Sequence, residues 1–320
     1  MGRRFAARLA QSVVVIFIVA TIAFFVIRAA PGDPFSFAPS GKPMPMDVQQ
    51  SLRREFGYDK PVAVQYVLYL RNAAHGNFGW SFNKNERVQS VLAAAVPRTL
   101  LLAGIALVLS FAIGAALGVL QAARGGWFDR STSGVLLFLY SLPDFWGALM
   151  IMTVFTYWWR VFPSGDIVDV MHDYLAPWPA FVDRVRHIVL PVASLTLLSL
   201  AAIARYQRAA MLEVLPSDFI RTARAKGVSE CSIVWRHTLR NALTPMVTVF
   251  GLMLPAYLGG VVFIETVFNW PGLGTLATDA IGARDYDLVT ATVVVSAVIV
   301  VIGNLAADLL HAAVDPRVRE

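Results

Sequence analysis

The sequence predicts an all-α, polytopic membrane protein with six transmembrane helices. Three observations predict it. Of 320 residues, 57% are hydrophobic and only 15% charged, far too apolar for a soluble chain of this size. The apolar residues gather in runs of about twenty, each about 30 Å long as a helix and so able to cross a bilayer. The net charge of +6 suits a membrane protein whose Lys and Arg collect in cytoplasmic loops, and argues less well for nucleic-acid binding.

Taken in order, Gly2 to Arg8 carries Arg3, Arg4 and Arg8, and Leu9 to Ile27 is almost wholly apolar. A basic start before an apolar run also describes a signal peptide. The run is long for one, and Arg28-Ala29-Ala30-Pro31 is a poor cleavage site, so an uncleaved first helix is expected. Pro31-Gly32-Asp33-Pro34 stops that helix. Residues 35–95 contain no span. Gln49 to Phe56 and Val62 to Ala73 read as short amphipathic helices, and Gly76 to Ser81 as a turn-rich stretch. Phe56, Tyr58, Tyr66, Tyr69, Phe78, Trp80 and Phe82 give this region something to bury, so it is expected to be an ordered extracytoplasmic cap.

Leu100 to Leu120 is the second span, entered by Pro97-Arg98-Thr99. It carries Gly104, Gly114 and Gly118; the last two lie one turn apart, as close helix packing requires. A short basic link, Arg124 to Arg130, leads to the third span, Val135 to Trp158, with a kink expected at Ser141-Leu142-Pro143-Asp144. Tyr157, Trp158 and Trp159 suit a membrane-interface belt. Residues 160–186 form a second outer loop with Asp166, Asp169, Asp173 and Asp183, and Ile188 to Ala204 is the fourth span. Thr244 to Ile264, containing Pro255, Gly259 and Gly260, is the fifth; Glu265 to Asp287 is a third outer loop, and Leu288 to Leu309 is the last span.

Six spans put both termini on one side. Arg205, Arg208, Arg221, Arg224, Lys226, Arg236 and Arg240 lie between spans four and five, whereas the third outer loop holds only Arg284. The excess of Lys and Arg in short segments places the termini and the segment between spans four and five in the cytoplasm.

That segment is the most informative part of the chain. Ser217 precedes a helix start at Asp218. Phe219, Ala223 and Gly227 recur every four residues, giving a column that ends in small side chains and lets another surface approach. Arg221, Arg224 and Lys226 surround it with positive charge. Gly227 is placed to stop the helix, and Ser229 to cap a second one. In the second helix Trp235, Leu239, Ala242, Leu243 and Met246 follow helical spacing. A helix–Gly–helix hairpin shaped to be gripped by a soluble partner is expected. The bland alternative is a basic loop that touches anionic lipid.

The wording of this stretch resembles the cytoplasmic "EAA" loop of bacterial ABC-importer permeases, which reads E-A-A, then Gly, then I-x-L-P. Ala223, Gly227 and Leu239 fit that pattern, while its acidic residue and its Pro are absent. R-T-A-R-A-K-G followed by H-x-L-R-N-A-L is much closer to the dipeptide/oligopeptide/nickel branch. P-G-D-P, F-G-Y-D-K-P-V and H-G-N-F-G-W-S also resemble the branch's B-type permease, and W-P-G-L-G, R-D-Y at Arg284 to Tyr286 and the D-P-R ending at Asp315 to Arg317 resemble the family. The resemblance covers nearly the whole chain.

It implies a type I ABC-importer permease fold with an N-terminal helix (1–30), an extracytoplasmic region (31–95), a five-helix core (96–312) that includes the coupling loop 209–241, and a cytoplasmic tail (313–320). It implies a coupling helix of Asp218, Phe219, Ile220, Arg221, Thr222, Ala223, Arg224, Ala225, Lys226 and Gly227, seated in a groove of an ATPase subunit and supported by His237, Leu239, Arg240 and Asn241. The implied partners are a second permease, a C-type paralogue, two P-loop ATPase subunits that bind ATP and Mg, an extracytoplasmic substrate-binding protein and membrane lipid, with no nucleic acid. The implied function is ATP-driven import of peptides or a related small solute.

Residue chemistry agrees that this chain is not itself catalytic and binds no cofactor. No G-x-x-x-x-G-K-[ST] loop, H-E-x-x-H or G-x-S-x-G is present. His75, His172, His187, His237 and His311 are scattered and no metal site is expected. The single Cys231 excludes an intrachain disulfide. Asp144, beside Pro143, is a candidate for the translocation path because an intramembrane carboxylate is a functional candidate by default. The bland alternative places it near the membrane boundary. Glu265 is expected at the outer interface, and Asn304 invites the same reading as a helix-to-helix contact. A stand-alone secondary transporter or channel is the competing function; it would normally show ionisable residues at mid-membrane or an internal repeat.

Overall fold

The computed structural model describes residues 2–30, 44–55 and 57–314; for 2–6, 252, 254–256, 258 and 310–314 only the backbone is described. The P-G-D-P element, Phe56 and the D-P-R ending lie outside the described residues. The described chain is helical: α1 (Gly2–Ala29), α2 (Met46–Glu55), α3 (Val62–Ala74), α4 (Val88–Arg124), α5 (Gly126–Ser141), α6 (Asp144–Met152), α7 (Pro177–Val214), α8 (Asp218–Ala225), α9 (Glu230–Ser232), α10 (Leu239–Ala242), α11 (Thr244–Val267), α12 (Leu273–Gly282) and α13 (Tyr286–Val314). A two-residue antiparallel ladder pairs β1 (Trp80–Ser81) with β2 (Glu86–Arg87).

Among the described residues, four helices are long and apolar enough to cross a membrane: α1, α4, α7 and α13. α5 and the helical run from Asp144 to Trp158 pass the same test only when taken together, as a broken span or a re-entrant loop bent by 104°. This is the expected kink: Leu142 and Pro143 are extended, and Pro143 becomes the N-cap of α6. α11 supplies the sixth apolar run with 24 residues.

Several boundaries differ from expectation. α4 starts at Val88, so Pro97 lies inside the helix and not at its entrance. Proline's fixed φ is helical, and one missing backbone bond does not end a helix whose neighbouring residues are packed. α7 starts at Pro177, with proline in its first turn, which shortens the second outer loop. The third outer loop contains α12. Trp270, in the third outer loop, is 2% exposed and belongs to the core, unlike Trp158 and Trp159 at 73% and 63%. Glu265 is fully buried, while Asn304 is exposed.

The chain forms two compact units, Leu100–Trp270 with the residues from Ile302 on, and Gly2–Thr99 with Pro271–Val301. In the first, Leu102, Ala106, Ala148, Leu195, Ile264, Phe268 and Trp270 form the largest core cluster. α4 and α7 touch backbone to backbone through the two expected glycines. A Cβ on Gly114 would stand 2.9 Å from Ile203 Cγ2, and one on Gly118 only 2.5 Å from the Ala204 carbonyl oxygen. Gly104 meets nothing within 4 Å and takes no part. At the far end of α7, Asp183 accepts from the Asp169 N–H at 3.0 Å and lies 2.7 Å from His172 Nδ1 and 3.2 Å from His187 Nδ1. This clasp holds the loop before α7.

In the second unit, Val88, Leu92, Ala95, Leu273, Leu276, Ala280, Leu288 and Ala291 form one cluster. Asp285 caps α13: its carboxylate accepts from the Leu288 N–H at 3.2 Å, and also from the Ser81 hydroxyl at 2.6 Å. α3 lies on α1 through the stacked rings of Tyr69 and Phe24 and a 2.7 Å bond between Tyr66 and Thr21. Burial, with lesser help from Tyr66 and Asp287, pushes the Tyr69 phenol up to about 12. Of the expected cap aromatics, Tyr58, Tyr66, Tyr69, Phe78, Trp80 and Phe82 are half-buried.

Candidate docking hairpin

α8 and the run α9–α10 form the hairpin expected between spans four and five, and local chemistry explains each of its ends. Ser217 is extended and precedes the first turn, with its hydroxyl donating to the Val214 carbonyl at 2.6 Å. The turn at the other end is a Schellman motif. Val228 N–H bonds the Ala223 carbonyl at 3.2 Å, Gly227 N–H bonds that of Arg224 at 3.0 Å, and Gly227 has φ +78°. Only glycine adopts that conformation without penalty. Ser229 then caps α9, its hydroxyl accepting from the Ser232 N–H.

One face of the hairpin is anchored. Ile220, Ile233, Thr238 and Ala242 are fully buried. Ala242, with the half-buried Leu239 and Val234, packs on Val119, Ala210 and Met211. The hairpin thus rests on the ends of α4 and α7. Ile220 turns inward and mounts α8, whereas its neighbours Phe219, Arg221, Thr222, Arg224, Ala225, Lys226 and Gly227 are exposed and Ala223 is half-buried.

The return arm departs from plain helical spacing. A π turn over Ile233–Thr238 separates α9 from α10. Its wider hydrogen-bonded ring inserts residues into the pattern, so Leu239, Ala242 and Met246 face inward while Trp235 and Leu243 are 45% and 42% exposed. Of the expected supporting residues, Asn241 donates to the His237 carbonyl at 2.9 Å, His237 is half-buried and Arg240 is exposed.

Electrostatics fix the hairpin's shape. Arg224 grips Glu230 with Nε–Oε1 at 2.5 Å and Nη2–Oε2 at 3.1 Å, bridging the glycine turn. Hydrogen bonding to Arg224, ahead of simple charge attraction, holds the Glu230 carboxyl below its usual range. Arg221 reaches Asp218 at 3.4 Å, both well exposed. Lys226 has no ion pair among the described residues. At the base of the hairpin, Arg208 clamps Asp129 of α5 in a two-pronged pair, both contacts 2.6 Å. Glu230, Asp129 and the inward turn of Ile220 were not foreseen. Arg224 and Glu230 are six apart across a turn, and Arg208 and Asp129 are 79 apart, so no periodicity links them.

Asp144 opens α6 at the 104° bend, exposed, with Oδ2 3.6 Å from where a Gly260 Cβ would stand. Among the described residues, no group of three or more His, Cys, Asp or Glu could hold a metal. The hairpin therefore offers a stiff, basic surface on a buried mount and no reactive constellation.

Comparison with known proteins assigns the chain to a family. Residues 110–320 match the family of binding-protein-dependent transport system inner membrane components, and residues 1–103 match the N-terminal domain that accompanies it. The chain belongs to this family. It is 37% identical to the oligopeptide transport system permease AppB of Bacillus subtilis over 97% of both chains. It is 36% identical to the di/tripeptide permease DppB of Pseudomonas aeruginosa over 98% of both, and 36% identical to the dipeptide permease DppB of Escherichia coli over 93% of both. In fold it matches the inward-facing MetNI methionine ABC transporter, with a TM-score of 0.56 over 70% of this chain and 96% of that one, at 21% identity. This chain is accordingly a multi-pass inner-membrane permease subunit of an ABC importer, with no catalytic role of its own, and it works in a complex with other subunits.

Proposed function

We propose that this permease imports peptides and that α8, from Asp218 to Gly227, is the element through which ATPase subunits drive it. The observation that carries the reading is the split character of α8: Ile220 is fully buried beneath it while its basic outer face is exposed. A helix that only touched lipid headgroups would need no such mount. Two ATPase subunits hold ATP and Mg and close on this hairpin and on that of a second permease, a C-type paralogue. His237, Leu239, Arg240 and Asn241 transmit the movement into α11. α7, with 38 residues and so about 57 Å long, supplies the stiff member between the hairpin and the opposite face. A binding protein delivers the solute there. Both termini and the hairpin face the cytoplasm, a placement that the distribution of Lys and Arg supports. The peptide substrate rests on the relatives, which are named for oligopeptide and dipeptide transport.

The test is co-purification in mild detergent. The intact chain should bring down P-loop ATPases, and an Ala223→Arg/Gly227→Trp variant should lose them while keeping its second permease and its elution volume. A Lys226→Glu variant, altered only at an exposed side chain, should weaken the association without disturbing the hairpin. If the intact chain purifies alone and moves solute in vesicles without ATP, the importer mechanism is wrong for this protein.

A further inference from the structure

We infer that Asp144 is a cation-binding group of the translocation path, which receives the ammonium group of the passing solute. The inference rests on the importer reading above. Its depth comes first. Ser141 is fifteen residues from the start of α5, and Gly260 is sixteen from the start of α11. At 1.5 Å per residue these are about 23 and 24 Å along the two helices, within a hydrocarbon layer of about 30 Å. The carboxylate thus falls within the apolar run from Val135 to Trp158.

Its surroundings come second. A Cβ on Gly260 would stand 3.6 Å from the carboxylate, so the missing side chain leaves room for it, and Leu195 Cδ1 on α7 lies 3.7 Å from the same Cβ position. No hydrogen bond or ion pair to Asp144 occurs among the described residues. On α6 it shares the exposed face with Phe145, Trp146, Leu149 and Met150, while Gly147, Ala148 and Met152 are buried. Gly259, next to it on α11, is also exposed and meets nothing within 4 Å.

A carboxylate at that depth does not face lipid tails, because charged intramembrane side chains turn to a bundle interior, a partner or a water-filled cavity. A fixed counter-charge would have to come from another subunit. A second copy of this chain offers none: no Lys or Arg occurs in 9–27, 100–120, 135–158, 188–204, 244–264 or 288–309. The cation then comes with the solute or from a paralogous second permease, and we assign it to the solute; retention of the second permease in the variant, below, separates the two. The glycine-lined side of α11 leaves space for it, and the bend at Pro143 presents the carboxylate on a helix start that the core of the unit holds in place.

The assembled importer, in vesicles with its own partner subunits and binding protein, tests this in two ways. In the first, uptake of labelled alanyl-alanine is compared between the intact protein, Asp144→Asn and Asp144→Glu. Asp144→Asn should lower uptake about tenfold or more, as loss of a desolvated charge pair does, with ATPase stimulation by the loaded binding protein retained; Asp144→Glu should keep most of the uptake. In the second, a hydrophobic carbodiimide labels Asp144, and propylammonium at millimolar concentration should slow the labelling while acetamide does not. Unchanged uptake in Asp144→Asn overturns the inference. So does loss of the second permease from the purified variant, which makes the carboxylate a subunit contact. If the intact complex imports no peptide, the peptide reading fails by itself, and labelling decides: protection by propylammonium keeps Asp144 as a cation site, and its absence removes it.

Discussion

Gly118→Ala should separate α4 from α7, and the size of the effect follows from the structure. A Cβ at Gly118 would lie 2.5 Å from the Ala204 carbonyl oxygen, 2.8 Å from Gln207 Cβ and 2.9 Å from the Arg208 backbone nitrogen. Two of the three are backbone atoms of a packed helix and cannot swing aside. Ordinary contact begins near 3.4 Å, so relief needs a shift of almost an ångström, which forfeits roughly a quarter to a half of the dispersion well at each contact along the seam. Overpacking of this kind costs about 1–3 kcal/mol. Alanine also favours helix over glycine by up to about 1 kcal/mol, which would mask part of the loss. Gly104→Ala supplies the control: same helix, same propensity gain, and nothing within 4 Å of the new methyl. The difference between the two variants isolates the packing cost. The assay is thermal unfolding of the detergent-purified protein, followed by the monodisperse fraction on size exclusion. Gly118→Ala should melt several degrees below Gly104→Ala, at about 2–4 °C per kcal/mol. Equal melting temperatures would refute the close approach of these two helices.

Removing either side of the Arg208–Asp129 clamp should loosen the base of the hairpin. A double-mutant cycle of Arg208→Gln and Asp129→Asn should give a coupling of about 1 kcal/mol, modest because Arg208 is 35% exposed, and no coupling would mean the pair is idle. Gly227→Ala forces a left-handed alanine at φ +78°, a penalty of about 1–2 kcal/mol; faster hydrogen exchange over residues 218–225 should report fraying, and Gly227→Asn should fray less. The Arg224–Glu230 bridge has a definite pH sign. Glu230 titrates below its ordinary value in the folded hairpin, so the bridge is fully present above the ordinary glutamate pKa and is lost as pH falls through the lower folded value. Exchange protection of residues 223–232 should be flat above neutrality and drop only in acid, and Glu230→Gln should reproduce the acid behaviour at pH 7.

Membership of the membrane class, the apolar runs, the break at Pro143, the stop at Gly227 and the cap at Ser229 were all legible in the amino-acid sequence, because each is a local property. A run of apolar side chains has nowhere else to go, proline lacks a donor, and glycine alone accepts a left-handed φ without penalty. The pairing of Gly114 with Gly118 was legible for the same reason, since one helical turn places them on one face. Tertiary structure decided what depends on a second segment. Pro97 continues a helix because neighbours pack around it, and Trp270 of the third outer loop joins the core cluster that holds Phe268. Ile220 turns under α8, and the π turn at Ile233–Thr238 rotates Trp235 outward. Arg208 meets Asp129 across 79 residues. Burial and charge pairing are sums over neighbours distant in the chain, so the same side chain reads alike in sequence whether it ends up as surface or as mount.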